Sequence, residues 1–194
     1  MVPPDLDVMR APSRVYAGCL AETVALSPLR SLRRPARVTA VIGTTLAVCA
    51  TGHATVPLVF SVSLCWSFIV VAQVLVGLLI IVPADRREVP VPAALDLFFM
   101  THGPWTIWML AFATLTIVTS AAGRGAMISA VIPAIWTPPL VFAFCRTVLN
   151  VSSREALART AVQQIVTWAL AFAAWGSAVA LWARIAGLLV RGRG

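Results

Sequence analysis

From Val38 to Val82 the chain carries no Asp, Glu, Lys or Arg. A helix rises about 1.5 Å per residue and a bilayer's hydrocarbon core is about 30 Å thick, so this run is more than twice the length of one crossing and must fold back. Its one cluster of turn formers and polar groups, Thr51-Gly52-His53-Ala54-Thr55-Val56-Pro57, predicts a tight turn there. The pattern therefore predicts a short first span from Val38 to Cys49 or Gly52 and a longer second one over Leu58 to Val82.

Pro83 to Pro92 holds Asp85, Arg86, Arg87 and Glu88 between prolines and reads as a solvated loop. The apolar stretch from Ala93 is split by Thr101-His102-Gly103-Pro104. Leu95 to Met100 reads as a short interfacial or half-inserted segment, or as a further crossing, with the third span from Trp105 to about Ser120. After a Gly123-Arg124-Gly125 turn, a fourth span over Ala126 to Cys145 carries Pro133 and Pro138-Pro139, which predict a kink packed against neighbours. Ser152-Ser153-Arg154-Glu155 offers a cap for a helix from near Ser153, running on as a fifth span over about Ala161 to Val190. The expected fold is an all-α polytopic transmembrane bundle of about five spans over 38–190, with tails at 1–37 and 191–194.

Before the first span the pattern changes. Met1 to Pro12 is Pro-rich and reads as a loose tail. From Ser13 to Arg34, Val15, Cys19, Leu20, Val24 and Leu26 fall roughly on a helical stripe, which predicts a helix in the membrane interface. Ser27-Pro28 interrupts it. Leu29 to Arg34 then reads either as a second short helix stopped by Pro35 or as a basic juxtamembrane linker. The first 37 residues lack a basic patch followed directly by an apolar core, so the first span is expected to act as an uncleaved start signal.

Composition agrees with the pattern: the chain is 60% hydrophobic and 11% charged, where soluble domains are nearer one-half and one-quarter. All 15 basic residues are Arg. Eleven fall on one side of the predicted topology: Arg10, Arg14, Arg30, Arg33, Arg34, Arg37, Arg86, Arg87, Arg146, Arg154 and Arg159. Arg124, Arg184, Arg191 and Arg193 fall on or near the other. This bias predicts a cytoplasmic N-terminus and an external C-terminus. The net charge of +8 is read as a topology signal at lipid phosphates, with no nucleic-acid partner expected, since no basic stripe on a soluble module accompanies it. Arg-only, Ala-rich usage points to a bacterial plasma membrane. Cys19, Cys49, Cys65 and Cys145 lack CxxC spacing and support neither a disulfide framework nor a metal knuckle.

Ionisable and amide groups in apolar surroundings are the first candidates for chemistry. Asp96 and His102 read as an interfacial cap pair or, alternatively, as part of a proton or ion relay; their six-residue spacing crosses a helix break and does not put them on one face. Gln73, and Gln163-Gln164, are candidates for hydrogen bonds between helices. Trp168, Trp175 and Trp182 recur every seven residues beside the small residues Ala169, Ala173 and Ser177, which together predict a packing seam for a neighbouring helix or subunit. There is no nucleophile elbow, HExxH, phosphate loop or suitably spaced carboxylate pair, so neither catalysis nor a metal or other cofactor is expected.

The layout resembles the Yip-domain family of small membrane proteins. Leu26-Ser27-Pro28-Leu29-Arg30-Ser31-Leu32-Arg33-Arg34-Pro35 is similar to the juxtamembrane stretch of its bacterial members, and Pro104-Trp105-Thr106-Ile107-Trp108-Met109-Leu110 looks like the start of their third span. The likeness covers about residues 25 to 190 as hydrophobic pattern, and the Asp-Leu-Tyr-Gly-Pro sequence of the eukaryotic members is missing. It implies a membrane-organising or partner-binding role. The expected function is thus a non-catalytic protein whose partners are the lipid bilayer and other membrane subunits. The alternative is a small transporter or channel component working through Asp96, His102 and the proline-bent fourth span.

Overall fold

The first reversal of the chain is set by Gly52. In the computed structural model, which describes residues 12–23, 33–84, 88–119 and 128–191, Gly52 has φ +76° and its N–H returns to the Val48 carbonyl at 2.8 Å. Without a Cβ, glycine adopts this left-handed conformation at little cost and closes the preceding helix. Thr55 is extended, and Pro57 falls in the first turn of the next helix, where its missing N–H has no partner to lose.

Every regular element among the described residues is helical. In chain order they are α1 (Pro12–Thr23), α2 (Arg33–Thr51), α3 (Val56–Ile81), α4 (Val91–Phe99), a 3-10 turn (Met100–His102), α5 (Gly103–Thr119), α6 (Val131–Thr147) and α7 (Ser153–Arg191). Helices α2 and α3 form a close antiparallel hairpin. A Cβ on Gly43 of α2 would fall inside contact distance of Ser63 Oγ and 2.8 Å from the Val59 carbonyl oxygen of α3.

The later helices continue the alternation in direction. Cys49 Sγ of α2 lies 3.8 Å from Thr116 Oγ1 of α5, while Arg34 at the start of α2 meets Asp96 of α4, so the α4–α5 path runs beside α2 in the same sense. Helix α6 returns: Trp108 Nε1 of α5 donates to Ser129 Oγ just before α6, and Phe144 near its end packs on Phe98. Helix α7 then runs against α6 and α3, with Trp168 touching Trp105 of α5.

The core gathers at one end of this bundle, where α2 and α7 begin and α3 and α6 finish. Phe98 and Phe144 meet edge to face at 5.8 Å, and Tyr16 of α1, fully buried, packs edge-on against Phe144 at 5.9 Å. Such edge-to-face pairs add about 0.5–1.5 kcal/mol beyond the area they bury. Arg159 of α7 fastens the same end. Its guanidinium donates to the Ile80 and Pro83 carbonyls at the finish of α3 and to Glu155 Oε1. A cation there opposes the negative pole of the helix and satisfies carbonyls that have no intrahelical donor.

Away from that end, large apolar side chains face outward: Phe60 is 69% exposed, Ile135 71% and Ile165 68%. Helix α3 is 26 residues, about 39 Å, and only 28% of its most apolar stretch is buried. It alone among the described helices is long and apolar enough by itself to cross a membrane; α6 is apolar but has 17 residues, about 26 Å. The five-span expectation is met in its all-α character and only in part in its spans. Helix α2 opens on Arg33, Arg34 and Arg37, and α5 is as short as α6.

Three local expectations change. Pro35 stops no helix: it lies within the first turn of α2, where a missing N–H leaves no helix bond unmade. On α1 Tyr16 is buried and Val15 half-buried, and α1 docks on α6 and α4; the side chains of Cys19, Leu20, Val24 and Leu26 lie outside the described residues. Thr101-His102-Gly103-Pro104 produces no chain reversal. Phe99, Met100 and Gly103 all keep right-handed helical dihedrals, and the helical path tightens to 3-10 ahead of Pro104, which has no N–H to continue an α ladder.

Helix α7 begins where the sequence pattern puts it, at Ser153. Glu155 N–H donates to Ser152 Oγ at 3.3 Å, capping α7 beside Ser153. Helix α6 persists through Pro138 and Pro139. The readings on 1–11, 24–32, 85–87 and 120–127 lie outside the described residues.

Candidate functional site

A single acid in an apolar helix needs a counter-charge, because an isolated carboxylate out of water is too costly to keep ionised. Asp96, one residue from the centre of α4, is 3% exposed. Its partner is Arg34 from the first turn of α2, whose Nη1 donates to Asp96 Oδ2. The Arg34 side chain is 19% exposed and Asp96's is 4%, so the arginine covers the acid and keeps one edge toward the surface.

His102 is built into the 3-10 turn and is 9% exposed. Phe99 stacks on its ring at 5.2 Å and Phe98 meets it edge-on at 5.3 Å. Its Nε2 lies 3.0 Å from the side-chain amide of Gln73 on α3, and its Nδ1 3.3 Å from Thr101 Oγ1. Thr101 spends its one hydroxyl proton on the Phe98 carbonyl at 2.8 Å, so toward His102 it accepts and Nδ1 carries the hydrogen. An uncharged ring then presents a bare Nε2, which the Gln73 –NH2 fills once that amide is turned with nitrogen toward the imidazole. Every group is thereby satisfied without a buried charge.

The sequence-predicted polar residues thus fall into two sets. His102 and Gln73 come together and bridge α3 to the 3-10 turn, whereas Asp96 is committed to Arg34. Both have protein partners, Asp96 from α2 and His102 from α3. Gln163 and Gln164 do not bridge helices. Gln163 donates to Thr167 Oγ1 at 3.2 Å and accepts from Gln164 at 2.7 Å, both along α7 itself.

On α7, Trp168 meets Trp105 at 6.2 Å and remains 38% exposed. Ala169, Ala173 and Ser177 face outward, with Ser177 Oγ donating to the Ala173 carbonyl at 2.8 Å. The side chains of Trp175 and Trp182 lie outside the described residues. Of the seam predicted there, Ala169, Ala173 and Ser177 lie on an open face of the chain, while Trp168 also makes an internal contact with Trp105.

Sequence reasoning missed Arg34 as a binding partner, Tyr16 as a core residue and Arg159 as the cap of α3. Only for Arg34 was there a signal: a lone acid in an apolar stretch needs a cation, and the arginines flanking the first span were the nearest supply. Beside the Arg34–Asp96 pair a groove of about 100 Å³ opens between α2 and the start of α5, lined by Arg34, Arg37, Val38, Met100 and Thr106. Among the described residues no three of His, Cys, Asp and Glu gather as metal ligands would.

No family model, no curated protein and no solved structure matches this chain.

Proposed function

We propose that this chain is a non-catalytic protein of a bacterial plasma membrane that crosses the bilayer five times, by α2, α3, α4–α5, α6 and α7, with the N-terminus in the cytoplasm and the C-terminus outside. It acts by binding partners, as a Yip-like membrane organiser or an accessory subunit of a larger membrane complex. The observation that supports this reading is the outward-facing apolar girdle. A 26-residue helix whose most apolar stretch is only 28% buried supports a membrane setting, since hydrocarbon is a solvent that favours its exposed Phe60, Leu64, Leu75 and Leu79. The placing of Arg34, Arg37, Arg146, Arg154 and Arg159 at the core end supports the cytoplasmic assignment of that end.

Partner binding is supported by α7, whose 39 residues reach about 58 Å and outrun its contacts with α3 and α6. Leu170, Phe172, Ala169 and Ala173 are exposed near its middle. Small residues let a second helix approach closely, and the neighbouring aromatics would cover its flanks. Gentle detergent extraction followed by mass analysis of co-purifying proteins tests the role: Ala169→Leu with Ala173→Leu is expected to strip the partner while the chain stays membrane-bound. Reporters fused to the two termini test the topology. Opposite sides are expected, and both on one side would overturn it.

The competing reading, a transporter or channel component, draws support from the His102–Gln73 bridge in the bundle interior. Asp96→Asn and His102→Gln separate the two, since loss of a transport activity with assembly intact would favour that reading.

A further inference from the structure

We infer that the bundle thins the cytoplasmic leaflet beside α2 and so lets phospholipid head groups cross the bilayer along that helix, a passive scrambling activity. The inference rests on the membrane reading proposed above. What carries it is a step in height between two neighbouring helices. The Cβ direction of Gly43 in α2 points between the Val59 carbonyl oxygen and Ser63 Cβ of α3, 2.8 and 3.0 Å away, which sets Gly43 level with Ser61. Arg33 stands ten residues below Gly43, so on the antiparallel neighbour it falls level with Val71, ten residues below Ser61. Helix α3 then runs on for ten more residues to Ile81, about 15 Å. Arg33 and Arg37 are exposed at the higher level, while Val71, Leu75 and Leu79 of α3 remain 56%, 61% and 51% exposed from there downward. Apolar surface thus ends about 15 Å sooner on α2 than on α3.

A flat bilayer cannot suit both helices. They are joined at the opposite end by the Gly52 turn and pack about 8–10 Å apart, so levelling the step by tilting needs about 60°, beyond the roughly 0–40° that spanning helices show. From Val38 to Thr51, α2 offers fourteen residues, about 21 Å, against about 30 Å of hydrocarbon. Lipid meets a short apolar stretch ended by exposed arginine by thinning, with water and phosphate drawn inward. The outer surface of α2 suits such a path. Among its described side chains the exposed ones are Arg33, Ala36, Arg37, Ala40 and Thr51, none of them large and apolar. On α3, α5, α6 and α7, by contrast, Phe60, Leu110, Ile135 and Ile165 face outward. Half-buried Thr44 lies seven residues from both Arg37 and Thr51, so the three mark one side of the helix with about 20° of drift per heptad. A head group moving along that side passes from guanidinium to hydroxyl to the exposed turn at Gly52 and His53 without displacing a bulky hydrocarbon side chain.

The test uses the full chain in vesicles of phosphatidylcholine and phosphatidylglycerol carrying a trace of NBD-labelled phosphatidylcholine, with dithionite added outside. Flotation of the vesicles comes first. A wild type that does not float refutes the membrane reading itself, while one that floats without scrambling refutes only this inference. Wild type is expected to bring inner-leaflet label to the dithionite about tenfold faster than protein-free vesicles do, the scale set by about 9 Å less hydrocarbon to cross. Arg33→Leu with Arg37→Leu lengthens the apolar stretch of α2 and is expected to remove that acceleration. Ala40→Leu, on the exposed side and clear of the arginines, is expected to cut it several-fold and reads the same path should the first variant not insert. Arg154→Leu, exposed at the lower level, is expected to scramble like wild type. Either α2 variant scrambling like wild type once inserted, an equal loss in Arg154→Leu, or bleaching of a trapped water-soluble NBD dye, which marks leakage, would overturn the inference.

Discussion

Replacing Asp96 by Asn keeps the shape of the side chain and removes one charge from its pair with Arg34. Breaking a fully buried pair from one side costs about 3–5 kcal/mol, because the surviving charge is left without compensation. Arg34 is 19% exposed and borders a groove, so its guanidinium has a route to water, and screening brings the expected loss nearer 2 kcal/mol. That is a factor of roughly thirty in the unfolding equilibrium. The assay is reversible unfolding of the purified chain in mixed micelles, followed by tryptophan fluorescence. Exchanging both partners for apolar residues, Arg34→Met with Asp96→Leu, removes the orphaned charge along with the pair and is expected to recover most of the loss. An Asp96→Asn protein as stable as wild type, or a double variant no better than the single one, would refute a stabilising role for the pair.

Other substitutions test the packing that positions the site. Gly43→Ala is expected to destabilise by about 1–3 kcal/mol, seen as a lowered midpoint in the same titration, and Ser63→Gly is expected to relieve only part of it because the Val59 carbonyl stays in the way. Tyr16→Ala removes a fully buried ring and is expected to cost about 3–5 kcal/mol, releasing α1 to early proteolytic cleavage while α2 to α7 stay protected. Arg159→Met is expected to expose the finish of α3 to hydrogen exchange, since the Ile80 and Pro83 carbonyls lose their donor, with a loss of about 1–3 kcal/mol.

Local chemistry was readable from the chain, and distant pairing was not. Gly52 and Pro57 announce the α2–α3 turn because each restricts its own backbone, and Ser152 announces α7 because a cap reaches only three residues ahead. Pro35 misled, since a proline reads as a stop unless one knows it falls in a first turn. Arg34 counts equally toward orientation whether or not it is paired; that its guanidinium would reach Asp96, 62 residues on, depends on how α2 and α4 are brought together. Tyr16 was overlooked because the stripe around it was read as a surface to lie on lipid, while the groove that receives it is assembled from α4 and α6. Gln73 and His102 were each legible as polar intruders, but only the stacking of α3 against the 3-10 turn joins them.

The contacts of the first hairpin come from neighbouring stretches of chain, whereas Tyr16 must wait for Phe144. While the protein is being synthesised, α2 and α3 can pair as soon as both have emerged, but α1 has no berth until α6 exists. Helix α1 is therefore a latch that closes only once α4 and α6 have come together. A product truncated before α6 would carry it loose, with an aromatic side chain offered to quality-control proteases.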